Sequence, residues 1–562
     1  MHTLEAVLPS ESFVGFHVPK AKSPLLYWSR RHDKRDPLAF AYAMPMADEP
    51  AVIDSSQAPI MFNAERYGGE GLGGNGGGAR CGLLGDIQVK GIGRNPLAGI
   101  STDKFHSHGG ASLSECILDA LWGEIASAVL PYGASRCWAI IRIAGTVPRR
   151  YSKTGESPGQ ARAIVLREPA LRPAHFMRSI YFDAGNGQQD RLVDVRRTRQ
   201  AIQYLPRALA TTLGKSNSDE PECTDVDRID ALLVEWCMRC ARQLAAARAK
   251  RLMHGSLTAS NIGFDGRWLD FGSMSAVSDY GRLILPRGAP DFLNEEKTIY
   301  HTLHDLVFYI NKYIGANNGS KALIADKYCG VLRDMLSEHE GFEFEKLTGL
   351  PLEAFEMADP VARTKLQRAI RAIRAAGNST AFTILSDDNN YLPIMPEKMG
   401  RYKLNEILQT VGDTSTPVES HDKVKSLLPD ESMRREFLSS YWSIRNDWML
   451  SLNSQEKIAA KSFVSVNSER LNMDLRRLYR TNLYPMIERI GDSHPSVSEM
   501  IDDLVGEAKF HLSECRVGFA RNPAWSIPGR VDAVDYLLSG GLNREKWEKF
   551  VSLGEQTIEK LS

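Results

Sequence analysis

The pattern of hydrophobic and polar positions changes along this chain from short alternations to helical spacing. Through about the first 110 residues, apolar alternations are interrupted by Gly and Pro, which predicts strands and loops. Just beyond them, Leu113, Ile117, Leu121 and Ile125 share one stripe and predict a helix over 112–130. Strand-like apolar segments follow at 137–144 and 163–167.

The later part of the chain is predicted to be mainly helical. An amphipathic helix at 229–252 follows a polar linker at 215–227. Beyond residue 292, the spacing predicts helices at 299–314, 321–339, 360–376, 433–450 and 470–491, with polar breaks near 378–390 and 412–421. Strands followed by helices predict an α+β fold.

Composition and charge restrict the class of protein. The chain has 562 residues, 43% hydrophobic and 25% charged, as in ordinary soluble globular proteins. Its 69 basic and 69 acidic residues give zero net charge, which argues against nucleic acid or an anionic membrane as a partner. Neither a secretory leader nor an apolar run of about 18–20 residues is visible, so we expect a cytoplasmic protein.

The eight cysteines are scattered along the chain, which favours reduced thiols over a disulfide framework. Cys237 and Cys240 form a single C-x-x-C. Both fall on the apolar face of the helix predicted at 229–252, so core packing is favoured over a redox or metal role.

The segment 254–272 carries the clearest chemical pattern. Asn261 is followed nine positions later by Asp270, with Phe271 and Gly272 next, and this spacing is typical of the kinase-type loops that hold Mg²⁺ against nucleotide phosphates. Asp265-Gly266 predicts a two-residue hairpin turn between short paired strands, which would bring Asn261 and Asp270 together at its open end. Small-molecule kinases usually have an Asp base at the position of Ser256, so the usual base is missing.

Two upstream features stand in kinase order. A glycine-rich run at 68–78 precedes a strand-like segment that ends at Lys90, and glycines beside a strand let the backbone approach a phosphate ligand. Glu115 follows in the first turn of the next helix, where it can orient Lys90. Ser112-x-x-Glu115 also fits a capping box, which would be a sufficient reason for a Glu at position 115. The order of Lys90, Glu115, Asn261 and Asp270 along the chain nevertheless favours the functional interpretation.

These features predict a two-lobed, protein-kinase-like fold. We expect a β-rich N-lobe over 1–213 and a helical C-lobe with the catalytic-type loop over 228–400. A C-terminal helical region is expected over 401–562.

In chain order, eight motifs resemble those of the selenoprotein O family, pseudokinases that bind ATP in a flipped orientation and transfer AMP to protein hydroxyls. The motifs are residues 67–69 (YGG), 76–80 (GGGAR), 89–96 (VKGIGRNP), 110–115 (GASLSE), 171–176 (LRPAHF), 254–261 (HGSLTASN), 269–272 (LDFG) and 522–525 (NPAW). The Lys90 segment and the Asn261–Asp270 spacing are the most specific of them.

The resemblance implies roles for individual residues. The phosphates of ATP would be bound by the glycine-rich segment and the Lys90 strand, through Gly76, Gly78, Lys90, Gly91 and Glu115. Arg167 and Arg172 would bind the inverted phosphate tail, and Asn261 with Asp270 would ligate Mg²⁺. Two positions depart from the family: Ser260 replaces its proposed Asp base, and Gly77 replaces the Asp of its G-D-G motif. The catalytic set implied for this chain is Ser260, Asn261 and Asp270.

The missing base leaves several interpretations open. A general base typically increases the rate of attack by a hydroxyl acceptor by about 10²–10⁴-fold. A carboxylate is already ionised near neutral pH, and its attack on the α-phosphate would give an acyl-adenylate. Selenoprotein O-like proteins also occur in microcin-type peptide biosynthesis, so the resemblance implies AMP transfer onto a protein hydroxyl or a peptide C-terminal carboxylate. The alternatives are a kinase, disfavoured by Ser256, and an inactive pseudokinase that binds nucleotide or a partner enzyme.

Overall fold

The computed structural model of the chain describes residues 3–30, 35–46, 53–102, 107–148, 159–185, 188–215, 225–280, 282–284, 292–315, 322–377, 381–383, 402–490 and 494–512. Within these residues, strands dominate the first part of the chain and helices the rest. The predicted α+β fold, with a sheet lobe followed by a helical lobe, is confirmed.

The first lobe is built on one antiparallel sheet. Its strands are β1 (Phe13–Val18), β2 (Leu25–Ser29), β3 (Ile60–Glu65), β4 (Cys81–Leu84), β5 (Ile87–Lys90), β6 (Ala111–Ser112), β7 (Cys137–Val147) and β8 (Gln160–Arg167). Their spatial order is β1-β3-β4-β5-β8-β7-β2, and β6 pairs with β8. The strands predicted at 137–144 and 163–167 are confirmed as parts of β7 and β8. A short helix α1 (Leu4–Val7) precedes the sheet.

One long helix, α2 (Leu113–Val129), packs against β7 and β8 and confirms the helix predicted at 112–130. The Ser112 side chain caps it by accepting from the Glu115 backbone N–H at 3.2 Å. The opposite face of the sheet is also buried, beneath a cluster that includes Phe62, Val89 and Trp138. With both faces covered, side chains near the middle of the sheet are shielded from water.

The helical lobe contains α3 (Gln188–Thr212), α4 (Asp225–Ala249) and α5 (Glu296–Ile310). Later helices are Ala325–Lys346, Leu352–Met357, Pro360–Gly377, Leu404–Gly412, Pro417–Val424, Glu431–Leu450, Ser454–Leu471, Arg480–Ile490 and His494–Leu512. Three short strands, β9 (Leu252–Met253), β10 (Ser275–Ala276) and β11 (Arg282–Ile284), lie around the predicted loop, and β12 (Ala381–Thr383) pairs with β11. The helix His494–Leu512 returns to the first lobe and packs on α2 and β2.

Some element predictions were wrong. The helix predicted at 470–491 is divided: Ser454–Leu471 ends, a 3₁₀ turn follows at Arg476–Leu478, and Arg480–Ile490 begins a new helix. Asn472 marks the break, because its side-chain amide donates to the Leu347 and Ser468 carbonyls at 2.7 and 2.8 Å. The polar break predicted at 412–421 contains the start of the helix Pro417–Val424, whose cap is the Thr416 side chain accepting from the Glu419 N–H at 3.2 Å.

The C-x-x-C motif lies in the interior of α4. Cys237 and Cys240 are both buried, and burial raises the pKa of each thiol. The predicted packing role is therefore confirmed. None of the described helices combines the length and apolar character that a bilayer crossing requires. The predicted domain limits adjoin residues 216–224 and 384–401, which lie outside the described ranges, and these limits stay predictions.

Candidate functional site

A cleft of about 580 Å³ lies where the two lobes meet. Its walls come from the glycine-rich segment, from the ends of β5 and β8, and from the loop that leads from β9 to β10. This cleft brings together most of the sequence-predicted site residues, namely Gly78, Lys90, Glu115, Arg167, Arg172, Ser260, Asn261 and Asp270.

Strand alternation and register explain why the sheet side of the cleft is charged. Ile87 and Val89 point into the apolar cluster, so Gln88 and Lys90 point to the other face of β5. Gln88 is paired in register with Arg167 on β8, and its Oε1 accepts from Arg167 Nε at 2.6 Å. A neutral amide therefore fixes the guanidinium beside Lys90.

Lys90 is the centre of a buried ion cluster. Its Nζ lies 2.7 Å from Asp119 Oδ2, contacts Asp270 Oδ1 and is 3.5 Å from Glu115 Oε1. Burial lowers the pKa of Lys90, but the carboxylates of Asp119 and Asp270 outweigh it and raise that pKa above its usual value. Lys90 is therefore a fixed cation in the cleft.

Glu115 faces the cleft and does not close a capping box. Its carboxylate takes two hydrogen bonds from Arg80, at 2.5 Å from Nη2 and 3.1 Å from Nη1. Burial raises the pKa of Glu115, but Arg80 and Lys90 prevail and hold it at about 2. Through this pair the glycine-rich segment is tied to α2.

Arg172 reaches the cleft from the turn after β8. Its Nη1 donates to the Ser260 carbonyl at 3.2 Å and to the Tyr67 hydroxyl at 3.4 Å, and its guanidinium lies 5.1 Å from the Tyr67 ring centroid. Behind it, the buried Glu65 carboxylate lies 3.9 Å from Arg172 Nη2 and 3.5 Å from His175 Nε2. The two arginines expected to bind phosphate, Arg167 and Arg172, thus lie on the same wall as Lys90.

The loop between β9 and β10 contains a narrow hairpin that carries Asn261. The Asn261 carbonyl accepts from the Leu269 N–H at 3.0 Å, and the Gly263 N–H donates to the Arg267 carbonyl at 2.8 Å. Pairing is limited to a single bridge, Ile262 with Trp268, so the predicted paired strands are not formed and the turn is longer than the two residues expected. The hairpin still places Asn261 next to the residue before Asp270.

Local hydrogen bonds orient the two candidate metal ligands. Asn261 Nδ2 donates to the Ser256 carbonyl at 2.9 Å, and Asn261 Oδ1 accepts from Ser260 Oγ at 3.3 Å. Asp270 adopts the left-handed conformation, with φ 62° and ψ 69°, which a non-glycine residue rarely adopts outside functional turns. Burial raises the pKa of Asp270, but Lys90, Arg167 and Arg80 together bring it well below its usual range.

His254 supports this loop from behind. Burial lowers its pKa to about 4, so the ring is neutral at physiological pH. In that state Nε2 donates to the Leu269 carbonyl at 2.9 Å, and Nδ1 accepts from the Ser256 N–H at 3.3 Å. His254 therefore joins the two ends of the loop and takes no proton from the cleft.

Glycines expected to bind the cofactor fall into two groups. Gly78 lines the cleft, whereas Gly76 and Gly91 are absent from the described lining residues. A Cβ on Gly76 would lie 2.9 Å from the Phe182 ring, and Gly91 has φ 86° with a hypothetical Cβ 2.7 Å from Ala111 Cβ. Close packing explains both of these glycines without a ligand.

Hydroxyl groups line the cleft at the two loop positions where Ser replaces the usual Asp base. Ser256, Thr258 and Ser260 all line the cleft, and Thr258 Oγ1 lies 3.0 Å from Ser260 Oγ. The two carboxylates among the described lining residues, Glu115 and Asp270, are each paired with a cation. A general base for a hydroxyl acceptor is therefore not supplied by the described cleft wall.

Sequence reasoning assigned no role to several residues of the site. Asp119 lies four positions after Glu115 on the same helix face, and Gln88 two before Lys90 on the same strand face, so periodicity could have indicated both. Arg480 also lines the cleft and donates to the Gly272 carbonyl. It comes from the C-terminal helices, and no local pattern signals its position. The predicted motif at 522–525 lies outside the described residues.

The oxygen atoms of Asn261 and Asp270 fit Mg²⁺. The Lys90 ammonium lies on Asp270, which shows that a cation is favourable there. Mg²⁺ is usually held by one or two protein oxygen ligands together with substrate phosphates and water. The described residues contain no group of three or more His, Cys, Asp or Glu that could hold a metal ion.

Comparisons with known proteins agree with these motifs. No protein-family model matches the chain. Over 201 residues, 35% of this chain, it is 28% identical to the protein nucleotidyltransferase YdiU of Marinomonas sp. (strain MWYL1), and the match spans 36% of that relative's length. Among solved structures, the ROP18 kinase domain in complex with AMP-PNP and sucrose aligns with 51% of this chain and 80% of the ROP18 chain. The two are 12% identical, and their TM-score of 0.21 is too low to support an inference. The match to YdiU and the order of the motifs show that part of the chain is similar to YdiU.

Proposed function

We propose that this protein transfers AMP from Mg-ATP to a protein or peptide acceptor. The observation that carries the proposal is the charge distribution of the cleft. Lys90 and Arg167 come from the ends of β5 and β8 and Arg172 from the turn after β8, and they meet the oxygen ligands of Asn261 and Asp270 from the loop after β9 in one cleft. Such a cleft matches a nucleotide triphosphate with its metal ion, and the name of the YdiU relative supports nucleotidyl transfer as the reaction.

In this reaction the acceptor oxygen attacks the α-phosphorus of ATP. A new P–O bond forms to the acceptor, the bond between the α-phosphorus and the bridging oxygen breaks, and pyrophosphate leaves. Mg²⁺, held by Asn261 and Asp270, would neutralise charge on the phosphates. Lys90 and Arg167 are fixed cations that can stabilise the additional negative charge of the transition state.

A carboxylate acceptor agrees best with the cleft wall. Ser256 and Ser260 stand where related enzymes have acids, and both lining carboxylates are occupied by cations. An ionised carboxylate attacks without losing a proton, so it needs no general base. We therefore favour a C-terminal or side-chain carboxylate, and a serine, threonine or tyrosine hydroxyl is the second possibility.

The test uses ATP labelled separately on its α- and γ-phosphates, incubated with the protein and host extract. We expect label from the α-phosphate alone, abolished in Lys90→Ala and Asp270→Ala. The matched control is Lys20→Ala, because Lys20 Nζ bonds to the Leu38 carbonyl at 2.8 Å and does not line the cleft. Release of the label by hydroxylamine would identify a carboxylate.

Two outcomes would refute the proposal. Label from the γ-phosphate would make the protein a kinase. Absence of both label and nucleotide binding would leave the inactive scaffold as the function.

A further inference from the structure

We propose that Asp119 is the positioning residue that fixes Lys90 against the Asp270 loop, and that Glu115 instead positions Arg80. Kinase-type sequence order would assign Lys90 to Glu115. The inference rests on the proposed function, because it assigns roles within the same cleft.

Asp119 joins three elements through one carboxylate. It lies one turn after Glu115 on α2, so both side chains face the sheet. Its Oδ2 accepts from Lys90 Nζ at 2.7 Å, and its Oδ1 accepts from the Phe271 backbone N–H at 3.0 Å. The side chains of Lys90 and Asp119 are each 2% exposed. Asp119 thus connects β5, α2 and the residue that follows Asp270.

Glu115 has a different principal partner. The two hydrogen bonds from Arg80 form a bidentate pair, the strongest geometry available to a guanidinium and a carboxylate. Lys90 Nζ lies farther away, at 3.5 Å from Glu115 Oε1. The Glu115 side chain is 26% exposed and lines the cleft, whereas Asp119 lies behind the wall. The two acids of α2 therefore have different principal partners, Asp119 with Lys90 and Glu115 with Arg80, and Asp119 Oδ2 also lies 3.9 Å from Arg167 Nη1.

This division of contacts matters because Lys90 also contacts Asp270. When Asp270 binds Mg²⁺, it must release the ammonium, and Asp119 is the close carboxylate that keeps Lys90 in place. Without the charge of Asp119, Lys90 depends mainly on Asp270. Mg²⁺ would then have to compete with Lys90 for the same carboxylate.

The experiment measures nucleotide binding rather than turnover. Calorimetric titration with α,β-methylene-ATP, which cannot be cleaved at the bond in question, is repeated over a series of Mg²⁺ concentrations. Asp119→Asn keeps an oxygen for the Phe271 N–H but removes the charge that pairs with Lys90. We expect the Mg²⁺ concentration for half-maximal binding to rise about tenfold, as for loss of a charged hydrogen bond.

Two further variants define the specificity of that shift. Glu115→Gln should weaken binding at every Mg²⁺ concentration while the Mg²⁺ midpoint stays unchanged. Glu124→Gln is the matched control, because Glu124 is on the same helix but accepts from Arg136 Nε at 2.8 Å. An unchanged midpoint in Asp119→Asn, or an equal shift in Glu115→Gln, would overturn the inference.

A second measurement covers the case in which Asp119→Asn does not fold alone. Lys90→Met leaves Asp119 as a buried charge without its principal partner, which is strongly destabilising. If Asp119 acts through Lys90, adding Asp119→Asn to Lys90→Met should raise the thermal unfolding midpoint. A further decrease would show that the Asp119 charge is held by a partner other than Lys90, such as Arg167 Nη1 at 3.9 Å from Asp119 Oδ2, and would refute the inference.

The failure of this inference is distinguishable from failure of the proposed function. A protein that binds the analogue but transfers no AMP would refute the function and leave the Mg²⁺ shifts to decide the role of Asp119. If the analogue does not bind, the unfolding comparison still decides it.

Discussion

Glu295 links the helical lobe to the loop that carries Asn261, and its ionisation provides a quantitative test of the fold around the site. The residue is 3% exposed, and its Oε1 accepts from the Gly255 backbone N–H at 2.7 Å. Burial raises the pKa of Glu295 from 4.5 to about 7, although the Gly255 N–H and Arg248 oppose the change.

The sign of the pH effect follows from this direction. Folded Glu295 holds its proton more tightly than unfolded Glu295, so folding takes up a proton between pH 4.5 and about 7. Its stabilising contribution is complete below pH 4.5 and is lost as the pH rises to about 7. The difference corresponds to about 3 kcal/mol, at roughly 1.4 kcal/mol per pKa unit.

Glu295→Gln isolates this contribution, because glutamine keeps an oxygen for the Gly255 N–H but cannot ionise. We expect the variant to match the wild type near pH 4.5 and to be more stable by about 3 kcal/mol near pH 8. Urea unfolding of both proteins across this pH range measures the difference in their free energies of unfolding. The contributions of other titrating groups cancel in this difference. The control is Glu436→Gln, which removes a surface pair with Arg368 and should give a difference within about 0.5 kcal/mol at every pH. A constant difference for Glu295→Gln would refute a buried carboxyl at this position.

Three further variants test other parts of the structure. Gly77→Ala places a Cβ 2.1 Å from the Glu65 carbonyl oxygen at φ 143°, so we expect a loss of at least about 2 kcal/mol in the free energy of unfolding; unchanged thermal denaturation would contradict this backbone. Arg480→Ala removes a guanidinium that lines the cleft and donates to the Gly272 carbonyl, so we expect the KM for Mg-ATP, measured with α-labelled ATP, to rise about tenfold; an unchanged KM would contradict a contribution of Arg480 to the cleft. Cys237→Ala should lower the free energy of unfolding by about 1 kcal/mol without changing bound metal, measured by metal analysis, and any metal lost would argue for a thiolate site.

Elements whose burial is decided within one segment were predictable. The apolar stripe of α2 and the short apolar strands β7 and β8 contain their own signal, since one face of each must be covered. The break after Leu471 was not, because it depends on Asn472 bonding to Leu347, 125 positions earlier in the chain. Polar side chains that end a helix through distant partners leave no periodic trace.

The same distinction applies to the residues of the site. Lys90 and Asp270 could be singled out from spacing and order, and the structure brings their side chains into contact. The partner of each cation could not be assigned, because α2 presents two acids one turn apart, and only the packing of α2 on the sheet decides which one meets Lys90. The contact of Arg480 with the Gly272 carbonyl could not be predicted either, because it depends on how the C-terminal helices return to the cleft.

The buried charges of the cleft bear on whether the protein is an inactive scaffold. Lys90 and Asp119 are each 2% exposed and Arg167 is 5% exposed. Removing such groups from water costs several kcal/mol per ion, and apolar residues of similar volume would often make the fold more stable. A scaffold that binds no nucleotide would gain from losing this cluster. A bound ligand with dense negative charge would offset part of this cost, because its phosphates and metal ion add charged partners that the folded chain alone does not provide. The physical chemistry of the cluster therefore favours a protein that binds Mg-ATP.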